Sequence, residues 1–227
     1  MSHAFLSRII LRKEASVRAL ACLLLPNGKS GQHRAAHHLL WTLFGDDPER
    51  ERDFLWRQVE KGEFIVLSAR EPVDQHNLFR IQTKPFSPAV QKDDRLNFLL
   101  RVNATIDRKT PDHKRSRRHD VVMDALYHIS KSERTEKRPG LLCKAAEEWL
   151  QRRGSTSGFL FQNLKVKAYD VLRVLRPDVG NYATFGVMDL NGELTVTDPE
   201  IFVPSLLKGF GRARAFGCGL MLIRRAI

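Results

Sequence analysis

The residues most able to do chemistry in this chain are histidines on a segment with helical apolar spacing. Of its 8 histidines, His33, His37 and His38 stand close together, and Ala36, Leu39, Leu40 and Leu43 recur among them at i, i+3, i+4 and i+7. That stripe predicts a helix between Gln32 and Phe44, ended by Gly45. On a 3.6-residue period His37 falls at the edge of the stripe and shares its flank with Arg34 and Trp41, whereas His38 projects away. A half-sheltered imidazole with an ordinary pKa of about 6.5 exchanges protons near neutrality, and a neighbouring guanidinium can steady the negative charge of a phosphorane. The pairing suits RNA cleavage. There the 2′-hydroxyl is an internal nucleophile, so a base, an acid and positioning suffice, and no metal or cofactor is chemically required. The plain alternative is a packing or surface histidine, which periodicity alone favours. His33 and His37 have the i, i+4 spacing of zinc ligands, but Arg34 occupies the place of the H-E-x-x-H glutamate and no third ligand is evident. No metal site is therefore expected.

Charge points to the substrate class. The chain carries 38 Lys and Arg against 26 Asp and Glu, a formal charge of +12, which calls for a polyanionic partner. Arg108, Lys109, Lys114, Arg115, Arg117 and Arg118 lie in one stretch that contains a single acid, Asp112. A second cluster, Lys208, Arg212, Arg214, Arg224 and Arg225, has no acid at all and runs through a glycine-rich segment containing Gly209, Gly211, Gly217 and Gly219. Basic loops of this kind can be merely solvated, but two unopposed clusters suggest a phosphate backbone. Glycines admit close approach of backbone N–H groups to phosphate, or else mark a tight helix-to-strand connection. Neither a dinucleotide fingerprint nor a P-loop is present, since Arg214 holds the place of the third glycine and Leu25-Pro26 precedes Gly28-Lys29-Ser30.

With 227 residues, 42% hydrophobic and 28% charged, the composition is that of a folded globular protein. Cys22, Cys143 and Cys218 form no C-x-x-C pair, which fits a reducing cytoplasm. The apolar run Val17–Leu25 is too short to span a bilayer, and Pro26-Asn27-Gly28-Lys29 offers no small-residue cleavage site, so no membrane partner is expected.

The positioning elements follow from periodicity and punctuation. A strand is expected over Phe5–Leu11, a helix over Glu14–Leu25, and then the histidine helix. A third helix, capped by Asp46 or Asp47 before Pro48, carries Phe54, Leu55 and Val59 and ends near Gly62. Strands follow at Phe64–Ala69, Leu78–Thr83 and Leu96–Ala104. The polar stretch Asp107–Asp120 predicts an exposed loop. A helix over Leu141–Arg153 ends at Gly154, and strands occupy Phe159–Ala168 and Val171–Leu175. Asn191-Gly192 between apolar-rich runs predicts a hairpin joining Phe185–Leu190 to Glu193–Thr197. Asp198-Pro199-Glu200 starts a helix to about Leu207, and Leu220–Ile223 is the last strand. This order predicts an α+β chain of two tandem ferredoxin-like (βαββαβ) domains, residues 1–90 and 91–227, the first with a poorly marked second helix.

The blocks Ala36-His37-His38-Leu39-Leu40-Trp41-Thr42-Leu43-Phe44, Arg52-Asp53-Phe54-Leu55-Trp56, Leu100-Arg101-Val102-Asn103-Ala104, Glu148 to Gly154 and Gly209 to Leu220, in that order over nearly the whole chain, carry a resemblance. They resemble the CasE family, the CRISPR-associated endoribonucleases of type I-E (Cascade) systems in the RAMP superfamily. The resemblance implies two ferredoxin-like domains and metal-independent cleavage of CRISPR repeat RNA at the base of its hairpin. It also implies that the crRNA product is kept among the other Cascade subunits, in a prokaryotic cytoplasm. The family's catalytic histidine, four residues before the tryptophan of a W-x-L-F segment, falls on His37. Some members carry a tyrosine three residues earlier; this chain has Arg34, which leaves only an electrostatic role there. The family's glycine-rich loop falls on Gly209, Gly211, Gly217 and Gly219, and its hairpin-gripping surfaces imply Arg108 to Arg118, Arg152 and Arg153, with Arg101 taken among the RNA contacts. A non-catalytic RNA-binding or assembly subunit is the alternative, since basic loops and this topology serve it equally well.

Overall fold

The computed structural model describes residues 4–14, 29–45, 51–109, 116–176 and 181–226. The chain forms two compact units, one of Met1–Ala89 with Leu172–Thr184 and Ala213–Leu220, the other of Val90–Val171, Phe185–Arg212 and Met221–Ile227. The first unit takes in Leu172–Thr184 and Ala213–Leu220 from beyond residue 90.

In the first unit, alternation over Phe5–Leu11 makes strand β1, with Ser7, Ile9 and Leu11 buried and Arg8 exposed. The buried Ser7 hydroxyl shares a 3.0 Å hydrogen bond with Thr83. The histidine helix is α1, Lys29–Trp41, and its predicted stripe is what packs: Ala36, Leu39 and Leu40 are buried, and Leu43 follows in the turn after the helix. Strands β2 (Phe54–Glu60), β3 (Glu63–Ser68) and β4 (Phe79–Pro85) complete a sheet of order β2-β3-β1-β4 with antiparallel neighbours. Ile9, Leu40, Trp56, Phe64 and Val66 form its core. This is the ferredoxin-like strand order without a second helix. Residues 69–78 cross instead as a loop, fixed by the Arg70–Asp53 ion pair at 2.6 Å and by Asp74, whose carboxylate accepts from the backbone N–H groups of Leu78 and Phe79.

The third helix expected after Asp46-Asp47-Pro48 is not formed over Phe54–Glu60, which is a strand paired with β3. Phe54, Leu55 and Trp56 are consecutive and all buried, so the run has no polar face for a surface helix. Gly62, read as a helix end, closes the β2–β3 hairpin at φ 79°. The helix expected over Glu14–Leu25 lies, after Glu14, outside the described residues.

The second unit begins with β5 (Arg95–Val102), whose even-numbered residues are buried. β6 (Thr105–Arg108) and β7 (Arg117–Asp120) pair as a two-stranded ladder where an exposed loop is expected, with 110–115 outside the described residues. Asp120 caps α2 (Val121–Leu126) by accepting from the N–H groups of Val122 and Met123. Helix α3 runs from Arg134 to Ser157, longer at both ends than predicted. Gly154 stays helical, and its missing Cβ is what admits the Phe159 carbonyl; the actual C-cap is Gly158, left-handed at φ 74°.

β8 (Phe159–Arg176) and β9 (Asn181–Val196) are each one long strand, followed by α4 (Pro199–Lys208) and β10 (Met221–Arg225). The sheet order β10-β5-β9-β8 is again ferredoxin-like, with β6, β7 and α2 inserted after its first strand. Asn191-Gly192 is not a hairpin: it continues β9, opposite Leu99 and Phe98 of β5. A Cβ on Gly192 would stand 3.1 Å from the Phe98 ring, so this glycine serves lateral packing rather than chain reversal. No helix among the described residues is long and apolar enough to cross a membrane.

Gly186 of β9 is the tightest point of this unit. A Cβ there would collide with the Asp120 carboxylate and the Tyr169 hydroxyl, which donates to Asp120 at 3.0 Å. Gly186→Ala is expected to cost about 1–3 kcal/mol through overpacking. A thermal melt checks this, and an unchanged Tm would contradict the packing described.

Candidate active site

His37 is built into a wall of rings. It stacks on Trp41, one turn along α1, and on Phe54 at the start of β2, each with ring centroids 6.1 Å away, and Phe54 in turn stacks on Phe44 at 4.7 Å. The edge position predicted from the apolar stripe places the ring half-buried. Its Nε2 is enclosed and has no hydrogen-bond partner among the described residues. Burial first, then the Arg52 cation and then His38, lower the His37 pKa from its ordinary value to about 4. The ring is therefore neutral at pH 7, the protonation state a base requires.

Two guanidiniums accompany it. Arg52 lies two residues before Phe54, half-buried, with its Nε enclosed and unpartnered among the described residues. Burial, and then the nearby Arg214 cation, hold Arg52 below the usual arginine range. Its carboxylate neighbour in sequence, Asp53, is engaged by Arg70. Arg214 opens a 3-10 turn, Arg214–Phe216, that packs on α1 and β2. Gly217, at φ 78°, ends the turn against Trp56, where a Cβ would stand 3.2 Å from two ring carbons. The site is thus a neutral imidazole stacked on aromatic rings near the Arg52 cation, with Arg214 near Arg52 in turn. Such an arrangement can take a proton while holding an anion.

The other predicted residues divide. Arg34 does not join His37: its Nε donates to His38 Nε2 at 3.4 Å. His33 is in α1, but its side chain is outside the described residues, as are Lys114 and Arg115. Arg101 is committed to Asp189, its register partner on β9, at 2.5 Å. Arg108 holds Asp124 through two nitrogens, the shorter bond 2.7 Å, and Arg118 bonds Asp107 at 3.1 Å, so these two arginines brace the β6–β7 region. Lys109, Arg117, Arg152, Arg153, Lys208 and Arg212 are exposed. Gly209, Gly211, Gly217 and Gly219 all have positive φ, so the turn geometry itself accounts for the glycines. Arg52 was not among the residues that sequence reasoning selected. The only signal for it was its place at the head of the Arg52–Trp56 block. Among the described residues no three His, Cys, Asp or Glu side chains cluster as a metal site.

A family model described as CRISPR associated protein matches residues 4–225. The chain belongs to that family. It is 27% identical over 197 residues to the CRISPR system Cascade subunit CasE of Escherichia coli K12, covering 82% of this chain and 88% of that one. Solved structures share its fold. Thermus thermophilus Cse3, bound to an RNA representing a pre-cleavage complex, superposes with a TM-score of 0.66 at 21% identity over 98% of this chain and 99% of that one. Cas6e from Escherichia coli K-12 gives 0.61 at 20% identity over 98% and 100%.

In this family member the depressed histidine pKa has a sign that can be measured. The folded value, about 4, lies below the unfolded value of about 6.5, so stability is full above that higher pH and falls as pH drops between the two. His37→Phe keeps the stacking ring and removes the proton site. The stability difference between the two proteins is expected to shift in the variant's favour across that window, and parallel curves would contradict the buried, neutral ring. Gly217→Ala, strained in φ and pressed on Trp56, is expected to lower Tm by several degrees. Differential scanning fluorimetry reads that loss, and an unchanged Tm would show that the turn does not rest on Trp56.

Proposed function

We propose that this chain is a metal-independent endoribonuclease of the CasE type. It cleaves CRISPR repeat RNA at the base of the hairpin and remains on the crRNA as a Cascade subunit in the prokaryotic cytoplasm. Family membership and the names of its relatives, the Cascade subunit CasE and the endoribonuclease Cse3 bound to RNA, support the substrate and the assembly. The observation that carries the chemistry is the half-buried His37 ring, stacked on Trp41 and Phe54 and kept neutral by burial and by the nearby Arg52 cation.

In the reaction the neutral His37 imidazole removes the proton from the 2′-hydroxyl, the 2′-oxygen bonds to phosphorus, and the bond from phosphorus to the 5′-oxygen breaks. The leaving oxygen takes up one proton, matching the one held on the imidazole, so no water is consumed. The products are a 2′,3′-cyclic phosphate and a 5′-hydroxyl. The flat ring stack holds the imidazole in one orientation, which is the positioning that an intramolecular displacement rewards. Exposed Lys109, Arg117, Arg152, Arg153, Lys208 and Arg212 supply phosphate contacts along an A-form stem whose deep, narrow major groove cannot be read by side chains.

His37→Ala is expected to slow single-turnover cleavage of a labelled repeat hairpin by about 10²-fold or more, with hairpin affinity nearly intact. Unchanged cleavage would leave the non-catalytic assembly subunit as the reading. Cleavage is expected to persist in EDTA with cyclic-phosphate ends; its abolition by the chelator would overturn the metal-independent scheme.

A further inference from the structure

We propose that Arg52 is a further catalytic residue, its guanidinium gripping a non-bridging oxygen of the scissile phosphate beside His37. This rests on the nuclease reading given above. Three observations place it there. Arg52 stands at the head of β2, two residues before Phe54, the ring on which His37 stacks at 6.1 Å. Its Nε is enclosed yet has no partner among the described residues, so a donor already stripped of water faces no acceptor. Asp53, which would otherwise neutralise it, is engaged by Arg70 at 2.6 Å.

Leaving a buried donor unmade is costly, and an arginine is retained in such a place when an anion completes it. The groups facing His37 and Arg52 are His38 on α1 and Arg214 on the 3-10 turn, and no carboxylate offsets the charges at either residue among those described. A phosphodiester supplies the missing negative charge. As the 2′-oxygen adds to phosphorus, charge builds on the non-bridging oxygens, and a preorganised guanidinium in a water-poor site acts where that charge appears. The same cation also helps keep His37 deprotonated before substrate binds. Arg52 therefore has two separable effects, one on the transition state and one on the resting histidine.

The test uses the full chain, a 5′-labelled repeat hairpin, and the same hairpin with a 2′-deoxy residue at the cut site for affinity. Arg52→Gln is expected to reduce single-turnover cleavage by about 10²-fold. Affinity for the deoxy hairpin is expected to stay within about tenfold, since one phosphate contact is lost among many. The acid limb of the rate profile at subsaturating protein, which reports the free enzyme, is expected to move upward in pH toward an ordinary histidine. Arg52→Lys keeps the charge, so its acid limb is expected to stay at the wild-type position while its rate remains below wild type for want of the planar fork. A purely structural arginine would not move the pH limb with charge in this way. Wild-type cleavage by Arg52→Gln, or an unmoved acid limb, overturns the proposal. If Arg52→Gln does not fold, Arg52→Lys decides, and a wild-type rate in that variant overturns it. His37→Ala run in parallel separates the two levels. Inactivity there with an active Arg52→Gln sinks Arg52 alone, whereas activity in His37→Ala sinks the nuclease reading and this proposal together.

Discussion

A polar ring nitrogen of His37, held away from water and without a hydrogen-bond partner among the described residues, is the constraint on which the site depends. Burial disfavours the charged imidazolium, and the Arg52 cation adds to that preference, so His37 rests as a neutral base at a pH where an exposed histidine is partly protonated. Each neighbouring element contributes to keeping it so. The apolar stripe of α1 presses the helix onto the sheet. Phe54 and Trp41 cover the ring, and the Arg214–Phe216 turn brings a second guanidinium to Arg52 because Gly217 lets it settle on Trp56.

Several basic residues of the chain serve the fold itself. Arg70, Arg101, Arg108 and Arg118 each face a carboxylate at hydrogen-bonding distance and fix the fold, between the segments flanking β2 and β3 for Arg70, across paired strands for Arg101 and Arg118, and between a strand and a helix for Arg108. Arg52 is set against the Arg214 cation instead, an arrangement that favours an anion beside it.

Much of the fold was legible in the residues themselves. α1 was readable because one face meets the core and the other does not, and Asp198-Pro199 marked α4 because its cap is purely local. Elements whose logic is lateral were not. Gly192 exists for the Phe98 ring opposite it on β5, so Asn-Gly read as a turn was misleading, and the unbroken apolar run Phe54-Leu55-Trp56 carries no period at all. The site divides the same way. His37 followed from helical geometry and from the family resemblance, but helical geometry also nominated Arg34, which turns to His38. Arg52 and Arg214 meet only once a strand and a turn from distant parts of the chain have packed.

The central claim concerns the protonation of one ring, and NMR titration of the His37 imidazole nitrogens in the free protein addresses it directly. A midpoint near 4 is expected, with the ring neutral at pH 7. A midpoint at or above the ordinary histidine value of about 6.5 would show an exposed, solvated side chain and contradict the site described.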